Sequence, residues 1–169
     1  SLLELAHMNR DNTISKSSVR IDELIFSSIK SMKSKYPGRK IVPEIDFSVS
    51  ESDLTISGNA GLLEIAIRNL IENACKFSDS DVVVKVDRIN SGILLTISDQ
   101  GIGIPANELK AVFKPFSRGT NVKYIGGFGI GLSIVAKIIE LHGAQISVRS
   151  VENEGSIFSV LFHSDNTRK

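Results

Sequence analysis

Asn69, Asn73 and Lys76 follow one another at four and three residues, the spacing that brings side chains to one side of a helix. At about 100° per residue, Asn69, Glu72, Asn73 and Lys76 share an arc of about 100°. Leu63, Ile67, Leu70 and Ala74 fall on the opposite side and predict the buried face. A merely solvent-facing stripe is usually built from Lys, Glu, Gln or Arg. Asn is a poor helix former whose side chain competes for backbone hydrogen bonds. An Asn oxygen can ligate Mg²⁺, a hard cation that retains several waters, and Lys76 can meet a phosphate charge. Taken alone, the arc fits a site and a solvated face equally.

Three further stretches carry chemistry. Asp99-Gln-Gly-Ile-Gly-Ile104 directly follows the apolar run ILLTIS. Asp and Gly are ordinary turn residues. A carboxylate at a strand end can also accept a hydrogen bond from an exocyclic amine such as adenine's, and would refuse the O6 of guanine. The glycines would let a flat base approach the backbone. Phe113-Lys-Pro-Phe-Ser-Arg118 sets two aromatics in a polar segment, and predicts that Phe113 and Phe116 anchor it while Lys114 and Arg118 face solvent. In GGFGIGLSIVAKII, four glycines occupy residues 126–131 just before a helical pattern. Glycine costs a helix interior about 1 kcal/mol relative to alanine, so a close backbone approach to phosphate is the natural reason for it. Neither the P-loop Lys nor the third glycine of the dinucleotide fingerprint is present.

The elements that must position these groups read as follows. Residues 2–8 resemble the tail of an amphipathic helix, and 19–34 form a helix on the spacing of Ile21, Leu24, Ile25, Ile29 and Met32. Residues 40–47 and 53–57 predict two short strands joined by a polar turn, and 59–77 the clearest helix. Residues 81–89 and 92–98 predict a strand pair around Asn90-Ser91-Gly92, 129–142 a helix, and 144–150 with 156–162 a last strand pair. Segment 105–126 is long for a loop and carries Lys110, Lys114, Arg118 and Lys123 against Glu108 alone, a net +3. It suits a mobile flap over a polyphosphate as well as a plain surface loop. The order predicts a two-layer α/β sandwich with a mixed or antiparallel sheet.

Composition narrows the function classes. The 169 residues are 41% hydrophobic and 23% charged with a net charge of +1, which fits one globular domain and argues against a general nucleic-acid or membrane surface. Cys75 is the one cysteine, so no internal disulfide forms, and a place at the core edge without redox duty is expected. His142 before Gly143 reads as a helix end with a structural role, and His163 lies toward the tail. The chain opens at Ser1 in mid-pattern without Met, which predicts an excised piece of a longer protein.

In order and spacing, N-x-x-x-N-A-x-K-F (Asn69 to Phe77), D-x-G-x-G-I (Asp99 to Ile104), F-x-P-F-x-R (Phe113 to Arg118) and G-x-G-x-G-L (Gly127 to Leu132) resemble the N, first glycine, F and second glycine boxes of sensor histidine kinases. The resemblance extends over about residues 19–163 and includes Glu140-Leu-His-Gly143 and Gly155-Ser-Ile-Phe158. It implies the Bergerat ATP-binding fold, with helices on one face of a mixed sheet of about five strands and ATP between them. It implies residues 1–18 as remnant of a dimerisation helix plus linker and 19–169 as the catalytic domain. By that resemblance Asp99 reads adenine, Asn73 holds Mg²⁺ with Asn69 in support, and Lys76 and Arg118 meet phosphates. Gly127, Gly129 and Gly131 serve the lid and the helix start, while Phe77, Gly101, Gly103, Ile104, Phe113, Phe116 and Leu132 complete the nucleotide site. The implied partners are a phosphoacceptor histidine domain of the same protein and a response regulator. The implied full-length protein is a homodimer, its catalytic part cytoplasmic and its membrane attachment left open.

Two departures shape the expectation. The ATPase cousins resemble one another in a Glu four residues before the metal-binding Asn, where this chain has Asn69; Glu72 is turned about 100° from Asn73. Slow hydrolysis follows. The His followed by an acid that kinases of this family phosphorylate is absent, since His7 precedes Met8. A Bergerat-fold ATPase, a serine kinase and a nucleotide-binding pseudokinase are the alternatives.

Overall fold

The structure, a computed structural model, describes residues 14–45, 54–117, 119–120 and 129–163. The expected helix remnant at residues 2–8, Arg118 and Gly127 lie outside the described residues.

The chain order is β1 (Ser17–Arg20), α1 (Ile21–Lys35), β2 (Ile41–Ile45), β3 (Thr55–Gly58), α2 (Ala60–Phe77), β4 (Val82–Ile89), β5 (Gly92–Asp99), α3 (Gly131–Leu141), β6 (Gln145–Val151) and β7 (Gly155–His163). Five strands form one sheet in the order β2-β4-β5-β7-β6. β2 runs parallel to β4, and every other pair in that sheet is antiparallel. The mixed sheet and its α/β pairing with helices match the expected two-layer sandwich.

Alternation explains the layering. Val82, Val84 and Val86, Ile93, Leu95 and Ile97, and Phe158, Val160 and Phe162 are buried on one sheet face. Residues in the opposite phase, such as Lys85, Arg149 and Ile157, are exposed. The helices cover the buried face. α1 contributes Ile21, Ile25, Ile29 and Met32, α2 contributes Leu63, Ile67, Leu70, Ile71 and Ala74, and α3 contributes Val135, Ile138 and Ile139. The arc of α2 predicted as core is therefore buried in full. Truncating the fully buried Leu70 to Ala would cost about 2–5 kcal/mol through lost burial and the cavity left behind.

Helix starts follow local chemistry. The Asn59 side chain caps α2 by accepting from the Leu62 N–H at 3.1 Å. α1 has Asp22 and Glu23 in its first turn and Lys33 and Lys35 in its last, each favourable to the helix dipole.

The early strands differ from the expectation. β2 and β3 do not pair. β2 joins the large sheet beside β4, with Ile41 opposite Val82, while β3 pairs with β1, Ser17 opposite Gly58. β1 occupies residues expected to be linker and helix start. Four residues carry too little pattern to predict a strand whose partner lies about forty residues away, and tertiary pairing decides it. The expected boundary between residues 18 and 19 runs through this strand.

Candidate functional site

The last two turns of α2 set the first wall. The Asn69 amide nitrogen donates to the Ile65 carbonyl at 2.8 Å. Its oxygen faces the start of α3, since a Cβ added at Gly131 would lie 3.0 Å from it. The half-buried Asn73 side chain has no hydrogen-bond partner among the described residues. Lys76 lies one turn on, its ammonium 4.9 Å from the centre of the Phe77 ring. Glu72 points elsewhere and forms an ion pair with Lys35 of α1. Helix geometry thus separates Glu72 from Asn73, as expected.

The second wall is the end of β5. Asp99 is buried, and its carboxylate accepts from the Gly101 N–H at 2.8 Å. Burial pushes this carboxyl above the usual range, and backbone N–H groups of Gly101 and Ser156 pull it partly back. Positions 101 and 103 must be glycine. A Cβ at 101 would lie 2.1 Å from the Phe77 carbonyl oxygen, and one at 103 would lie 2.0 Å from that of Val151, at φ +62. The Ile102 N–H donates to the Phe77 carbonyl at 3.1 Å. That bond ties the Asp99 loop to the end of the helix bearing Asn69, Asn73 and Lys76.

Segment 105–117 is a chain of turns rather than a structureless loop. Glu108, Ala111, Lys114 and Ser117 each donate their N–H to the carbonyl three residues back. Phe113 anchors it edge-on to Phe158, with ring centroids 6.3 Å apart. Phe116 departs from the expected anchoring, being 75% exposed at φ 61. That backbone turns its ring away from the core. Gly129 has φ +69 and leads into α3, whose first turn carries Gly131 against Asn69 and the half-buried Leu132.

Residues 58–166 match the family described as histidine kinase-, DNA gyrase B-, and HSP90-like ATPase. The chain belongs to this family. Its relatives place it with the sensor histidine kinases, as their ATP-binding domain. The adaptive-response sensory kinase SasA of Prochlorococcus marinus subsp. pastoris is 32% identical over 166 residues, covering 93% of this chain and 43% of the relative. The signal transduction histidine-protein kinase ArlS of Staphylococcus aureus is 31% identical over 166 residues, covering 95% of this chain and 36% of the relative. The solved structure of the mycobacterial sensor histidine kinase MprB is similar with a TM-score of 0.75 at 25% identity, covering 88% of this chain and 97% of that one. The chain thus spans less than half the length of these two curated relatives.

In this ATP-binding domain several polar groups do structural work. His142 bridges two helices. Its Nδ1 meets the Ile138 carbonyl at 2.6 Å, and its Nε2 accepts the Asn59 N–H at 3.0 Å. Both ring nitrogens are used, which matches the structural role expected of it. His163 is the last residue of β7, opposite Gly92. Cys75 is fully buried rather than at the core edge, and burial pushes its thiol up to about 11, so it is unreactive. The sequence reading missed Ser150 and Ser156. Each sits in the inward phase of its strand, after Ile146 and Val148 and before Phe158 and Val160. A serine in an apolar phase is the signal that marks them. No helix among the described residues is long and apolar enough to cross a membrane.

Proposed function

We propose that this domain binds ATP with Mg²⁺ and passes the γ-phosphoryl in line to a histidine nitrogen on a dimerisation segment of the same protein, for onward transfer to a response regulator. The supporting observation is the bond that joins the Asp99 loop to the Asn69–Phe77 turns. It sets a buried carboxylate, suited to an exocyclic amine, beside amide and ammonium groups suited to metal and phosphates.

No group of three or more His, Cys, Asp or Glu among the described residues is placed to hold a metal. The Asn73 amide oxygen fits Mg²⁺ as one hard ligand, with phosphate oxygens and water completing the shell. When bound, the ion would neutralise charge on the phosphates. Lys76 adds a fixed positive charge, and Arg118 is proposed as a second. Asp99 orients the base, and segment 105–117 closes over the phosphates. Asn69 is neutral, with its nitrogen held by Ile65, and Glu72 is held by Lys35. Neither is free to activate water, so an incoming imidazole is favoured over hydrolysis.

Calorimetry with ATP and GTP, with and without Mg²⁺, tests this reading. ATP should bind, GTP should bind only weakly, and Asn73→Ala should abolish the response to Mg²⁺ while the protein stays folded. Equal affinity for the two nucleotides, or an unchanged Mg²⁺ response in Asn73→Ala, would refute it.

A further inference from the structure

Ser150 is an inward-phase residue of β6, the edge strand beside β7, and its side chain reaches the loop that follows Asp99. Its hydroxyl oxygen lies 2.8 Å from the Ile104 nitrogen, 2.6 Å from the Gly155 carbonyl oxygen and 3.0 Å from the Ser156 hydroxyl. The Ile104 N–H must donate to it, and the Gly155 carbonyl must accept from it. Its one proton is then spent, so the Ser156 hydroxyl donates the third bond. A single hydroxyl therefore joins three backbone or side-chain groups, with its hydrogen-bonding capacity filled.

Those three groups bracket the base-reading loop. Ser156 is the register partner of Asp99, and its backbone N–H meets the Asp99 carboxylate. Ile104 ends the loop five residues later. Between them, the Asn153 N–H donates to the Ile102 carbonyl at 2.8 Å, a bond from the same β6–β7 turn. Ser150 thus holds the loop directly at Ile104 and through Ser156 at Asp99, beside the packing of the half-buried Ile104 against the core.

We propose that Ser150 is a positioning residue for base selection: its hydroxyl holds the 99–104 loop at the distance from β7 at which the Asp99 carboxylate reads the nucleotide base. The proposal rests on the nucleotide reading above. Removing the hydroxyl leaves the Ile104 N–H and the Gly155 carbonyl without a partner, and loops relax to regain such bonds. Relaxation moves the base pocket and leaves the phosphate-facing residues of α2 in place. Adenine nucleotides should therefore lose affinity while the weak binding of guanine nucleotides stays unchanged.

The test is calorimetry with ADP and GDP on the wild type, Ser150→Ala, Ser150→Thr and Val148→Ala, with thermal melts of each. Ser150→Ala should weaken ADP about tenfold, the size of one lost buried hydrogen bond, leave GDP unchanged and speed amide exchange at Ile104. Ser150→Thr keeps the hydroxyl and should bind ADP like the wild type. Val148→Ala trims a neighbouring inward residue of the same strand. It should lower the melting temperature and leave the ADP preference intact, which separates positioning from general loosening. If the alanine variant fails to fold, Ser150→Cys, with its weaker donor and acceptor, is read in the same way. Full ADP preference in Ser150→Ala, or an equal loss in Val148→Ala, overturns the proposal alone. A wild type that binds ADP no better than GDP overturns the nucleotide reading and the proposal together.

Discussion

Asp99, proposed above to read the base, is a buried carboxylate that works against its own fold. A buried carboxylate with only two backbone donors is costly to ionise, which is why burial raises its pKa. The sign of the pH effect follows. With the folded value above the unfolded one, the folded state binds more protons in the interval between them. Stability is greatest below the unfolded value and falls as pH rises through the folded one. Near neutral pH the ionised Asp99 therefore weakens the domain. Asn at this position carries no charge and keeps an oxygen for the Gly101 N–H. Asp99→Asn should melt at the same or a higher temperature than the wild type at pH 7, yet bind ATP more weakly by about 1.5–3 kcal/mol, the worth of a charge-assisted bond. A melt and a titration on the same sample check both halves. A destabilised variant with full affinity would contradict the assignment.

Among the elements, α3 and its C-terminal histidine make the clearest pH-dependent joint. Burial lowers the His142 pKa, and both nitrogens are engaged with Ile138 and Asn59. Protonation would turn the Nε2 acceptor into a donor facing the Asn59 N–H. Here the folded value lies below the unfolded one, so the stabilising contribution is complete above about pH 6.5 and is lost as pH falls toward the folded value. The melting temperature should drop between pH 7.5 and 5.5. In His142→Ala that slope should flatten, with about 1–3 kcal/mol lost at pH 7.5 for the two bonds. A slope that survives the substitution would place the pH dependence elsewhere.

Segment 105–117 is held by its own turns and by Phe113, with Lys110 and Lys114 at its surface. Its amides should exchange quickly in the empty domain and gain protection with an ATP analogue. Full protection without nucleotide would remove its role as a cover.

What was legible in the sequence tracks how local the signal is. Asn69, Asn73, Lys76, Asp99 and the glycines stand out in the sequence by side-chain type and spacing, and it is on these that the proposed chemistry rests. The α2 core face was legible because its period is set by the helix itself. β2 and β3 were legible as strands but not their partners, and β1 was not legible at all, because the pairing of four- and five-residue strands is assigned by partners far along the chain. The Ser150 clasp was hidden for the same reason, since its three bonds join β6, β7 and a loop 46 residues upstream.

For the whole molecule, the central claim is that this domain supplies nucleotide and charge while another segment supplies the acceptor histidine. The described histidines agree with that division. His142 has no free ring nitrogen. His163 pairs with Gly92, at the far end of β5 from Asp99, about 24 Å away at 3.4 Å per residue, whereas in-line attack needs reacting atoms about 3–3.5 Å apart. The most direct measurement is incubation with γ-labelled ATP and Mg²⁺, alone and with a second polypeptide carrying the dimerisation helices. The account predicts binding without labelling for this chain alone. With the partner present, label should appear on the partner's histidine, acid-labile and alkali-stable as a phosphoramidate is. Strong label on a serine or histidine of this chain, or rapid release of free phosphate without transfer, would contradict it.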